Sequence, residues 1–106
     1  MLLSMMKQID DPRIGICLDV GHANAMTSDD IPVEEWIRVL APYIGHVHLH
    51  NNDGKNDLHQ AFGLGVMDMD SIFAAIEAHC SPETTFTIEA HDCESCASWL
   101  KEHGYI

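Results

Sequence analysis

His46-Val47-His48-Leu49-His50 alternates imidazole and aliphatic side chains over consecutive residues. Strand geometry sends successive side chains to opposite faces, so the three histidines share one face and Val47 and Leu49 the other. Imidazoles on a half-buried face pack poorly unless something binds them; the plain alternative is a solvated strand face. Two further segments have the same layout. Gly15 to Val20 sets Ile16, Leu18 and Val20 against Gly15, Cys17 and Asp19, and Phe86 to Ala90 sets Phe86 and Ile88 against Thr85, Thr87 and Glu89. Each predicted strand therefore carries a strong metal-ligand type near its C-terminal end: Asp19, His48 and Glu89.

The segments between these strands read as helices. Leu2, Leu3, Met6 and Ile9 recur at helical spacing until Pro12. After Val20 a loop is expected, and then Asp29, Asp30 and Pro32 as a helix start. Val33, Trp36, Ile37, Leu40 and Ile44 form an amphipathic stripe, with Pro42 near its end. Asp68 or Asp70 caps a helix carrying Ile72, Phe73 and Ile76. A last helix carries Trp99 and Leu100, with Gly104 as its C-terminal stop. Alternating helices and strands argue for an α/β fold with a parallel sheet, and parallel sheets build their sites at the C-terminal strand ends. The polar stretch Asn51 to Gly65 is long for a connection, a length usually functional or disordered.

A chain of 106 residues with 46% hydrophobic content is read as one folding unit, residues 1–106, with a modest core. The sequence has no apolar run near the ~20 residues of a membrane helix and no signal-peptide pattern, so the expected location is cytoplasmic. Seventeen acidic against five basic residues give a net charge of -12, which disfavours a nucleic-acid partner. Bound divalent cations would offset part of that charge. The four cysteines do not suggest a disulfide framework, and a lone Cys93-Glu-Ser-Cys96 lacks a second pair to complete a zinc site. It reads as two small residues in a helix's first turn.

Asp19-Val-Gly-His22 puts a carboxylate at a strand end and an imidazole three residues later, donors that suit borderline divalent metals. Gly21 is expected to ease the turn between them. Asp57-Leu-His59 adds a second Asp/His pair, followed by Gly63-Leu-Gly65. A calcium-loop reading of Asn51 to Asp57 fails, since counting back from Gly54 puts Leu49 at the first ligand position. Glu89 can ligate metal, act as a general base, or both in turn. His91 and Asp92 are expected to support or cap.

ICLDVGHANA, HVHLHNNDGKNDLHQAFGLGVMD and TIEAHD resemble, in order and over nearly the whole chain, the last three strand motifs of the xylose isomerase-like TIM-barrel superfamily. That group includes sugar and sugar-phosphate isomerases and epimerases, inosose dehydratases and endonuclease IV. The resemblance implies part of a (β/α)8 TIM barrel, its last three βα units, strands six to eight. It also implies a divalent metal (manganese, cobalt, zinc or magnesium) held by Asp19, His48 and Glu89. His22, Asp57 and His59 are further ligand candidates, and His22, His50 and Asn52 are expected to face substrate. The family's fourth shared ligand, a glutamate on strand five, has no counterpart here.

In the family's isomerases the metal stabilises a cis-enediolate while two glutamates move the proton. Glu89 resembles one of that pair, the other being the strand-five glutamate without a counterpart here, and His22 is a further catalytic candidate. The expected activity is sugar or sugar-phosphate isomerisation or epimerisation on a small sugar or polyol. The alternatives are an apurinic-site endonuclease and an inactive metal-binding fragment. Three strands cannot close a barrel, so the chain is expected to need an N-terminal barrel half or to associate through its sheet edges.

Overall fold

The computed structural model describes residues 1–26 and 30–106. Three parallel strands form one sheet in the order β1 (Ile16–Asp19), β2 (Ile44–Leu49), β3 (Thr85–Ile88). Asp19 lies opposite His48 across the first ladder, and His48 opposite Thr87 across the second. Beyond Ile88 the pairing continues by one bond, the Glu89 N–H donating to the Leu49 carbonyl at 3.0 Å. Register therefore sets Asp19 level with His48 and Glu89 two residues further on, all at the C-terminal edge.

Helices α1 (Leu2–Ile9), α2 (Val20–Ala25), α3 (Val33–Leu40), α4 (Met69–His79) and α5 (Cys93–Glu102) alternate with the strands. The apolar stripe of α3 buries Val33, Ile37 and Leu40, and α4 buries Met69, Ile72 and Ile76. With Val47 and Leu49 they form one core on the side of the sheet away from the histidines. Each large aliphatic side chain fully removed from water there stabilises by about 1.5–3 kcal/mol. β3 is covered least: Phe86 remains 45% exposed, and among the described residues β1 and β3 each keep one unpaired edge. No described helix is long and apolar enough to cross a membrane.

Several boundaries differ from expectation. Val20 does not continue β1 and no loop follows it. It opens α2, because the Asp19 carboxylate accepts the His22 N–H at 2.8 Å and caps a helix. Pro32 is the N-cap of α3, with no side-chain cap; Asp30 precedes it and Asp29 lies outside the described residues. Ile44 belongs to β2, since a 3-10 turn (Ala41–Tyr43) containing Pro42 ends the helical run. Asp68, not Asp70, caps α4, and Asp92 caps α5. Gly104 sits just past α5 at φ +80°, a conformation that favours glycine. Cys93 and Cys96 fall in the first turn of α5 as free thiols.

The long Asn51–Gly65 connection is ordered by its own polar side chains. Asn51 is fully buried; its amide donates to the Phe62 and Met67 carbonyls at 2.9 and 3.1 Å. Its Oδ1 accepts the Asn52 and Met67 N–H groups at 2.9 and 3.1 Å. Gly65 is required beside it, since a Cβ there would lie 2.1 Å from Asn51 Oδ1. Asn52, also buried, donates to the Gly21 carbonyl at 2.8 Å and accepts from Asn24 at 2.7 Å. Stranding such groups costs about 1–3 kcal/mol each, so Asn51→Ala should destabilise the chain by about 3 kcal/mol in urea denaturation. A loss under about 0.5 kcal/mol, the usual range for a surface substitution, would show that the loop is held by other means.

Candidate metal centre

Asp19, His48 and Glu89 each offer one ligand atom, and these atoms all lie within 4.8 Å of one another. His48 Nδ1 stands 3.2 Å from Glu89 Oε2 and 3.9 Å from Asp19 Oδ2. These side chains are partly open to solvent, at 31%, 33% and 15% for His48, Glu89 and Asp19. Beside the first lies a second group, His22, His50, Asp57 and His59, whose ligand atoms are likewise within 4.8 Å of one another. His22 bridges the two: its Nδ1 is 3.4 Å from Asp19 Oδ2, and its Nε2 is 3.0 Å from Asp57 Oδ2.

The three strand histidines have separate fates. His46 is engaged by the neighbouring strand, its ring nitrogens 2.6 and 2.8 Å from the Thr85 and Thr87 hydroxyls. His48 faces the carboxylates. His50 follows the last residue of β2 and reaches the same carboxylate as His48, its Nε2 lying 2.7 Å from Asp19 Oδ1. Both His50 and Asn52 are fully buried, so the expectation that they face substrate gains no support from their positions. Gly21 also has another job than the one expected. It lies inside α2, and a Cβ on it would overlap the His50 ring at 2.0 Å.

His59 adopts φ +50°, an uncommon backbone conformation in which histidine is one of the enriched residues. Its Nδ1–H donates to the Glu89 carbonyl at 2.9 Å, leaving Nε2 pointed at Asp57 Oδ1, 3.2 Å away. A ring nitrogen fixed on a backbone carbonyl, with the other free for a cation, is the usual arrangement of metal-binding histidines. That carbonyl bond, against partial desolvation and with Asp57 adding, raises the His59 pKa.

The electrostatics call for positive charge. Burial works to raise the Asp19 pKa, but hydrogen bonds from His50 and the His22 N–H, with the nearby imidazoles, bring it down to about 2. Asp19 is thus ionised at neutral pH. Burial pushes the Cys17 thiol up, and the negative charges of Asp19 and Glu89 push it further. Among the described residues no lysine or arginine pairs with Asp19, Asp57 or Glu89; their ion-pair partners are histidines. Ligand bonds of about 2.0–2.2 Å put two ligand atoms at most about 4.4 Å apart, and the His48 distances fall within that span. Two carboxylates and one imidazole are a donor set that suits a borderline divalent cation.

The profile of the xylose isomerase-like TIM-barrel family matches residues 1–105, and the chain belongs to that family. A solved structure titled a D-tagatose 3-epimerase-like protein superposes with a TM-score of 0.77 at 28% identity, over 98% of this chain and 39% of that one. An uncharacterized protein of Methanocaldococcus jannaschii is 39% identical over 64 residues, 60% of this chain and 22% of its own length. The chain thus spans well under half the length of these relatives. The three-stranded sheet with its flanking helices corresponds to part of a TIM barrel.

Asp19→Ala or His48→Ala should lower bound divalent metal at least tenfold, measured by elemental analysis after dialysis. Cys93→Ser, in the first turn of α5 and in neither group of candidate ligands, should leave the content unchanged. Equal metal content in all three variants would refute the centre.

Proposed function

We propose that this chain carries the C-terminal part of the catalytic face of a metal-dependent sugar or sugar-phosphate isomerase or epimerase. The observation that carries the reading is the meeting of Asp19, His48 and Glu89 at the ends of three adjacent parallel strands. The family membership and the epimerase-like neighbour support a sugar-modifying activity. In this reading Asp19, His48 and Glu89 hold a divalent ion, and the remaining barrel supplies a fourth ligand. Such an ion, when bound, supplies positive charge against the negative charge that develops on a sugar's oxygens.

The chain's own residues do the rest. Isomerisation or epimerisation needs a proton removed from the carbon next to a carbonyl and a proton returned to a neighbouring carbon or to the opposite face. Glu89, one-third exposed and 3.2 Å from His48 Nδ1, is the acid/base group on this side. His22, half exposed between Asp19 and Asp57, is placed to hydrogen-bond a substrate hydroxyl. The reaction's second carboxylate would come from the opposite side of a complete barrel. The unpaired edges of β1 and β3 are where that remainder, or another copy, would pair. A cytoplasmic location accords with this reading.

A second reading has one specific observation behind it. The His22, Asp57 and His59 group could hold a further cation next to the first, an arrangement suited to a phosphodiester. The net charge of -12 opposes a DNA substrate, so this stands second.

With manganese or cobalt and a panel of ketoses in deuterium oxide, the protein joined to its barrel should place deuterium at the carbon next to the carbonyl. Glu89→Gln should slow this by about 10²–10⁴-fold, the usual contribution of an acid/base group. Metal-dependent nicking of abasic duplex DNA without sugar exchange would favour the second reading. Metal uptake with neither activity would leave a metal-binding part only.

A further inference from the structure

We infer that His50 is a positioning residue that locks the Asp19 carboxylate with one oxygen turned to the His48–Glu89 pair. The inference rests on the reading of Asp19, His48 and Glu89 as metal ligands. The two oxygens of Asp19 have different surroundings. Oδ1 accepts two hydrogen bonds, from His50 Nε2 at 2.7 Å and from the His22 N–H at 2.8 Å. Oδ2 faces His48 Nδ1 at 3.9 Å and His22 Nδ1 at 3.4 Å. A carboxylate can rotate about its Cβ–Cγ bond and exchange its oxygens. Two donors on one oxygen oppose that rotation and leave the other free for a cation.

His50 can act this way because its ring is itself fixed. It is fully buried, and on one side Gly21 leaves room for the ring and for nothing more, a Cβ there falling 2.0 Å from Cε1. On another, the His59 ring stacks against it with centroids 4.0 Å apart and planes 7° from parallel. An ionised carboxylate only accepts, so Nε2 carries the proton of the Asp19 bond. Nδ1 is buried with no hydrogen-bond partner among the described residues. The ring is thus placed for its contact with Asp19 and not for satisfaction of both nitrogens. Partners that orient ligands in this way usually change metal affinity about 10–100-fold when removed.

Cobalt(II) is the probe, titrated into the full chain and followed by affinity and visible absorption. His50→Leu, confirmed folded by far-ultraviolet circular dichroism, should bind cobalt(II) about 10–100-fold more weakly with an altered spectrum. His50→Gln, whose amide reaches about as far as Nε2, should recover most of the affinity. A folded His50→Leu with unchanged affinity and spectrum overturns the inference and leaves the ligand assignment standing. So does a loss of melting temperature shared by Leu and Gln variants with an unmoved cobalt spectrum. Should His50→Leu fail to fold, imidazole nitrogen NMR of the unsubstituted chain decides. A proton on His50 Nε2 supports the inference, and a bare Nε2 overturns it. No cobalt uptake by the unsubstituted chain overturns the ligand assignment, and the inference falls with it.

Discussion

Everything at the candidate centre depends on parallel pairing in one register. Asp19 opposite His48, and His48 opposite Thr87 with Glu89 two residues on, bring three candidate ligands together without a long loop to carry them. Backbone hydrogen bonds fix this alignment, so the site inherits the rigidity of the sheet. The cost is electrostatic. Carboxylates crowd one edge with histidines as their ion-pair partners, and such an edge is stabilised by a cation.

Apolar burial on the far face holds the arrangement in place. Ile37, Val47 and Ile72 pack where helices cover β1 and β2, while β3 and Phe86 remain more open. The best-packed part of the chain thus lies under Asp19 and His48, and the least covered part under Glu89.

Much of this was legible in the residues. Strand alternation set Asp19, His48 and Glu89 on one face near the strand ends, where their side chains meet, and turn and cap chemistry located α4 and α5 to within a few residues. What alternation could not convey is the path of the chain after a strand ends. His50 stays with His48, both within reach of Asp19, but its full burial and its bond to that carboxylate have no sign in the alternation. The short α2 went unrecognised because six residues give too little periodicity, although an aspartate three residues before the His22 amide is a cap signal. Asn51 had no periodic signature, since its four hydrogen bonds are made to a loop folded around it. Gly21 and Gly65 were informative glycines, but close approach of a buried side chain, and not a turn, explains both.

One consequence follows from Asp19 serving two structures at once. Its carboxylate ends β1, caps α2 and offers its remaining oxygen to the centre. Anything that draws on that oxygen also pulls on the first turn of α2, so helix formation and cation affinity are thermodynamically linked. The backbone amide of His22, bonded to the same carboxylate, becomes a natural reporter of occupancy. Its rate of hydrogen exchange reads the state of the centre from inside the polypeptide, without a substrate and without turnover.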